Sequence, residues 1–423
     1  MLGKLIIASL LTGIISGAFI TFYELVITFF TYFFFMGNPF KTIPTLPIWY
    51  LYLLPTVAIF IVNYIVSKDT NIREYGVNEI AESISQNKMI LKFKTLFLKI
   101  IASALSISTG FAVGTEGPSA GLGAMIAYQI HKLFKLPPML IKMMISVGAS
   151  SGIAAIFVSP LTGISFAIEN IAYQLIIKQY IGYLILASVV AFSIGVKFLD
   201  AIAFNHSLGR EMHYEYIIPI LIFIPFITSF IYLYLFMKKK LLHFIDFEIF
   251  KNFCKYRNYI FALIGGGVVG TILLLEPHAG FSGKEVVIYF INEEHHISIE
   301  LIFTIIILRI IATTVSIYSN AVGGIFLPLM SIGALIGYGF GELLIIYYDF
   351  PIELEPFYFA AVGAAVFMGV IMKLPLTAVI LSMETTFDYN VMVATGVTVI
   401  LVSYLSNLYF DIKKKYITRA DKL

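Results

Sequence analysis

Two glycine-rich segments that end in proline carry the most chemistry in this chain: Gly114-Thr115-Glu116-Gly117-Pro118 and Gly323-Gly324-Ile325-Phe326-Leu327-Pro328. In each, glycines precede a proline that suits the first turn of a helix, so unpaired backbone N–H groups point out of the helix start. A helix start buried in lipid favours negative charge through its dipole and its free donors, and two of them facing each other would suit a small anion. Glu116 stands two residues before its proline, and Phe326 holds the matching place in the other segment. A carboxylate aimed at helix starts competes with an anion for the same donors. Glu116 is therefore a candidate gate: ionised it blocks the site, protonated it swings away, and proton movement becomes linked to anion movement. The alternative is a helix-capping glutamate paired with a cation elsewhere.

The elements that would position these segments are membrane helices. Of 423 residues, 59% are hydrophobic and 13% charged, about half the roughly 25% charged content of soluble domains. Uncharged runs over 5–23, 42–67, 143–168, 180–196, 216–237, 258–275, 310–341 and 391–410 are long enough to span a bilayer core of about 30 Å. The Gly/Pro-interrupted stretches 111–122 and 321–330 are poor spans and predict re-entrant or broken helices lining a cavity. The first run, after Lys4, imitates a signal peptide but has no clear cleavage site, so it reads as the first membrane helix. The clusters Lys88–Lys99, Lys238–Lys240 and Lys413–Lys415, with Arg419 and Lys422, predict cytoplasmic joints and a cytoplasmic C-terminus. A net charge of +3, with its lysines beside apolar runs, argues against nucleic acid as a partner.

The two halves repeat each other. Pro160-Leu-Thr is followed nine residues after its proline by Glu169, and Pro375-Leu-Thr nine residues after its own by Glu384. Gly148 and Gly363, each in a Val-Gly-Ala triplet, stand twelve residues before those prolines. Pro118 is followed by Gly123-Ala124 and Tyr128, Pro328 by Gly333-Ala334 and Tyr338, at the same spacings. The expected organisation is one membrane domain of two repeats, about 1–205 and 215–423, with the substrate between them. This pairing alone leaves open whether the repeats are inverted or parallel.

Other ionisable groups have structural readings. Glu169 and Glu384, placed alike in both halves, are expected to accept backbone N–H bonds. Arg309 is expected to snorkel or to pair with a carboxylate. Glu293-Glu294-His295-His296 reads as a solvated loop rather than a metal site. The single cysteine, Cys254, excludes an internal disulfide framework. No nucleophile elbow, zinc-protease helix, Walker loop or Cys/His ligand spacing is present, so neither enzymatic chemistry nor a cofactor is expected.

With the paired loops, the two Pro-Leu-Thr…Glu helices and their order laid out, the chain resembles the CLC family of chloride channels and chloride/proton antiporters, from about Gly76 to Tyr416. The resemblance implies an all-α polytopic membrane protein folded as an inverted-repeat bundle of tilted and broken helices. It also implies a homodimer with one anion pathway per subunit. It places the gating glutamate at Glu116, with Thr115 where the family carries a basic residue, and the central chloride on the backbone N–H groups of Ile325 and Phe326. It puts a chloride-facing tyrosine at Tyr416, with Tyr409 as the fallback. The family's first anion loop falls on residues 74–79, where Gly76 and Glu79 match but Tyr75 replaces a serine and Asn78 a further family position. The inner proton-transfer glutamate of the antiporters corresponds to Asn170, an amide that cannot donate a proton at neutral pH.

These features predict transmembrane chloride transport in exchange for protons, in a multi-pass protein of a bacterial inner membrane. Passive conduction is the alternative that Asn170 favours. A cation-coupled carrier of small anions and an intramembrane enzyme using Glu116 are more distant, the first lacking polar sodium sites and the second a nucleophile or metal. The short stretch after Tyr416 predicts no cytoplasmic regulatory module.

Overall fold

Long runs with few charges can satisfy their backbone in lipid only as helices or closed barrels, and their length here selects helices. The computed structural model describes residues 2–69, 72, 93–170, 180–204, 216–245, 257–291, 297–348 and 356–420, and no strand occurs among them. The main helices of the first half are α1 (Leu2–Phe35), α2 (Ile48–Lys68), α3 (Phe93–Ser108), α4 (Glu116–Leu133), α5 (Ile141–Phe157), α6 (Pro160–Asn170) and α7 (Ile181–Gly195). Those of the second half are α8 (Ile217–Ile245), α9 (Arg257–Leu275), α10 (Ile299–Tyr318), α11 (Phe326–Tyr348), α12 (Pro356–Met372), α13 (Pro375–Thr386) and α14 (Tyr389–Ala420). Seven helical stretches among the described residues are long and apolar enough to cross a membrane, including 2–45, 48–68, 217–241 and 299–318. The protein is a multi-pass membrane protein.

Two of the expected spans are broken. The apolar run 143–168 splits at Val158, which takes a left-handed conformation (φ 54°) and ends α5 before Pro160 opens α6. The run 310–341 splits at 319–325, where Asn320 is left-handed (φ 63°) and the chain leaves α10 for α11. The second break falls where the Gly/Pro-interrupted stretch 321–330 predicts one, while the first is hidden because the chain around Val158 is apolar. The first helix runs on to Phe35, well past the first charge, because Glu24 is accommodated by a partner described below.

Helix pairing follows the repeat. α4 packs on α5 and α11 on α12. A Cβ at Gly123 would strike the Gly148 carbonyl and one at Gly148 the Gly123 carbonyl. Gly333 and Gly363 stand in the same reciprocal relation. In lipid, close backbone approach of this kind replaces the hydrophobic drive for helix association, which explains the Gly148/Gly363 match between the halves. α6 also packs directly on α13, joining the halves.

Candidate anion-binding site

The two glycine-rich segments meet. Gly114 N–H donates to Gly324 O at 2.7 Å and Gly324 N–H to Gly114 O at 2.8 Å, a single antiparallel bridge between otherwise helical halves. Each loop is held from the opposite half: Ser316 Oγ accepts from Ala112 N–H and Ser106 Oγ from Val322 N–H, both at 3.0 Å. Ser106 and Ser316 stand at matching places on α3 and α10, so the exchange is reciprocal. Neither serine stands out in the sequence; their equal spacing to the two prolines was the available signal.

The bridge brings the starts of α4 and α11 together, with Glu116 between them. Its carboxylate Oε1 accepts the Phe326 N–H at 2.6 Å, and Oε2 has no hydrogen-bond partner among the described residues. Glu116 and Phe326 are 3% and 0% exposed, whereas Gly117, Gly323, Gly324 and Ile325 keep partial exposure. One carboxylate oxygen thus occupies a donor that the resemblance assigns to chloride. Glycine on both flanks leaves the carboxylate its place: a Cβ at Gly114 or at Gly324 would overlap the Glu116 carboxylate. Pro118 and Pro328 lie in the first turns of α4 and α11, where a missing N–H costs no helix bond. The Phe326 ring stacks obliquely on Phe157 (centroids 4.9 Å) and meets Phe166 edge-on (6.2 Å), closing one side with apolar surface.

The paired glutamates act as caps across the repeat. Glu169 accepts from Leu376 N–H at 2.7 Å, Thr377 N–H at 2.8 Å and Thr377 Oγ1 at 2.6 Å, at the start of α13. Glu384 accepts from Leu161 N–H, Thr162 N–H and Thr162 Oγ1 at 2.9, 2.6 and 2.7 Å, at the start of α6, and also from Ser159 Oγ. Both behave as the expected structural acceptors. Charge-assisted hydrogen bonds contribute about 1.5–3 kcal/mol each before water competition at the partly exposed ends. Glu384→Ala is therefore expected to destabilise by about 3 kcal/mol and Glu169→Ala by less, because Ser159 has no counterpart at Leu374. Thermal unfolding in detergent checks the order, and wild-type stability in both variants would deny the caps a structural role.

Arg309 does not snorkel, and among the described residues it makes no ion pair with a carboxylate. It is fully buried, and its Nη1 donates at 2.8 Å to the carbonyls of both His278 and Gly280. Asn170 ends α6 beside the cap Glu169. Gly76, with Tyr75, Asn78 and Glu79, lies outside the described residues, as do the side chains of Tyr409 and Tyr416 on α14 and the segment 293–296. Among the described residues no group of three or more His, Cys, Asp or Glu could hold a metal.

A duplicated helical bundle whose halves aim two helix starts at one buried carboxylate defines a membrane transport protein of the broken-helix class. The profile of the voltage gated chloride channel family matches residues 56–407, and the chain belongs to that family. It is 26% identical over 334 residues to the H(+)/Cl(-) exchange transporter ClcA of Klebsiella pneumoniae strain 342, covering 76% of this chain and 68% of the relative. The ClcA of Salmonella arizonae is 25% identical over 361 residues, covering 82% and 74%. Among solved structures, a slow cyanobacterial Cl-/H+ antiporter superposes with TM-score 0.83 at 20% identity, covering 96% of this chain and 95% of that one. A CLC-type fluoride/proton antiporter superposes with TM-score 0.74 at 21% identity, covering 96% of both chains.

Proposed function

We propose that this protein moves chloride across the membrane in exchange for protons, with Glu116 as the gate and the Ile325 and Phe326 N–H groups as the anion seat. The observation that carries the reading is the Glu116 carboxylate lying on the Phe326 N–H, between two helix starts. Chloride can take that donor only when the carboxylate leaves, and protonation is the event that weakens the carboxylate's hold. Gly114, Gly117, Gly323 and Gly324 leave the backbone bare enough for either occupant. The ClcA relatives support exchange with protons rather than another coupling ion. The same reading divides the chain into two repeats, about 1–205 and 215–423, each giving one helix start to the seat. It places a homodimer in a bacterial inner membrane, with Gly76 and Tyr416 completing the pathway on the cytoplasmic side.

Asn170 favours a second reading, passive conduction, because an amide at that place supplies no proton donor. Chloride efflux from liposomes with external pH recorded separates the two. A chloride gradient that drives protons uphill supports exchange, chloride flux without proton movement supports conduction, and absence of chloride flux defeats both.

A further inference from the structure

The residue before the gate, Thr115, lines a cavity of about 270 Å³ together with Glu24, Asp200, Lys284 and Glu285. The positive-inside pattern assigns the cavity to the outer face. Lys4 marks the cytoplasmic start of α1, and the opposite end of that helix, with the turn at Asn38–Phe40, forms one wall of the cavity. α9 likewise starts at Arg257, beyond the Lys238–Lys240 cluster, and ends near the loop that carries Lys284. The cavity meets the gate segment at Thr115, the uncharged residue next to Glu116.

Lys284 brings a cation to this cavity from a distant part of the chain. Its Nζ lies 3.2 Å from Glu24 Oε1, and the two side chains are 14% and 12% exposed. Burial opposes the charge, yet the nearby carboxylates, Glu24 first and then Glu285 and Asp200, hold the Lys284 ammonium above the ordinary lysine range. It is therefore charged at neutral pH. The loop is fixed from beneath by buried Arg309, which binds the carbonyls of His278 and Gly280 and lies so close to Gly283 that a side chain there would strike it. The second oxygen of Glu24 has no hydrogen-bond partner among the described residues, so the pair is a single contact that an arriving anion can compete for.

We infer that Lys284 is the anion-attracting residue of the outer mouth, supplying the charge that Thr115 lacks, and that Glu24 restrains it. The inference rests on the chloride reading above. Among the described residues Lys284 is the one cationic side chain lining the cavity, so an entering anion depends on this ammonium. A unit charge in a partly dry mouth changes local anion occupancy by roughly tenfold.

The test is electrogenic flux across planar bilayers, with chloride titrated on one face at a time at fixed pH and voltage. Lys284→Met is expected to raise half-saturating chloride on the outer face about tenfold, and Glu24→Gln to lower it several-fold. Thr115→Lys added to Lys284→Met restores the wild-type value, Lys284→Arg keeps it, and the inner face is unchanged throughout. A purely structural ion pair would respond alike to loss of either partner. Shifts in the same direction, shifts on both faces, or no shift overturn the inference while chloride transport stands. A wild type that passes no chloride defeats the exchange reading and this inference with it. Should Lys284→Met fail to fold, Glu24→Gln and Thr115→Lys in the wild-type chain decide, since each must lower the outer half-saturation.

Discussion

Glu116→Gln is expected to reduce proton movement to background while chloride continues to flow. The substitution keeps the shape of the side chain and its ability to accept the Phe326 N–H, but removes both the charge and the transferable proton. A charge-assisted hydrogen bond is roughly twice as strong as a neutral one, so the amide holds the seat less firmly and chloride displaces it more easily. Glu116 and Phe326 are 3% and 0% exposed, so the missing acid sits where few other groups can relay the proton. Liposomes carrying wild type and Glu116→Gln, with chloride and pH followed together, give the answer. Proton movement that survives in Glu116→Gln would assign the proton to another group.

Gly324→Ala is expected to release the gate without touching the carboxylate chemically. The added methyl would fall on Glu116 Oε1 and come within 3.0 Å of the Gly117 nitrogen. Gly324 does not have a left-handed φ, so alanine is tolerated by the backbone. The carboxylate is the end of a flexible side chain and is the cheapest group to move. Losing its bond to the Phe326 N–H costs about 1.5–3 kcal/mol, which shifts the gate toward open roughly 10- to 150-fold. Chloride flux should rise and protons carried per chloride should fall. Gly323→Ala is the control, because its methyl meets Val113 and the Gly114 carbonyl oxygen instead of Glu116. Unchanged stoichiometry in Gly324→Ala would mean that the carboxylate position seen here is not the closed state of the gate.

The gate segments were legible in the sequence because their chemistry is local: glycine, carboxylate and proline within a few residues announce an open helix start. The repeat was legible because matched segments keep their spacing. Spacing also indicated that Glu169 and Glu384 were structural, yet it could not reveal that each caps the other half's helix. That pairing depends on α6 and α13 meeting in space. Lys284 was invisible for the same reason, since its partner Glu24 stands at the other end of the chain and neither belongs to a motif. The break at 319–325 was legible from the glycines and proline of 321–330, whereas the break at Val158 escaped because its apolar run continues through the corner. Arg309 was misjudged because snorkelling is the default for a cation near apolar runs, whereas here main-chain carbonyls of a turn reach in to meet it.

The central claim is that chloride and the Glu116 carboxylate compete for one seat. Competition requires linkage: chloride binding must favour the protonated, displaced side chain, and protonation must favour chloride to the same degree. The most direct measurement is the pH of a weakly buffered solution of the detergent-purified protein as chloride is added, with an anion too large for the seat as the control. The expected result is proton uptake from solution that saturates with chloride and is absent in Glu116→Gln. Chloride binding with no proton uptake by the wild type would contradict the competition and remove the basis for a carboxylate gate.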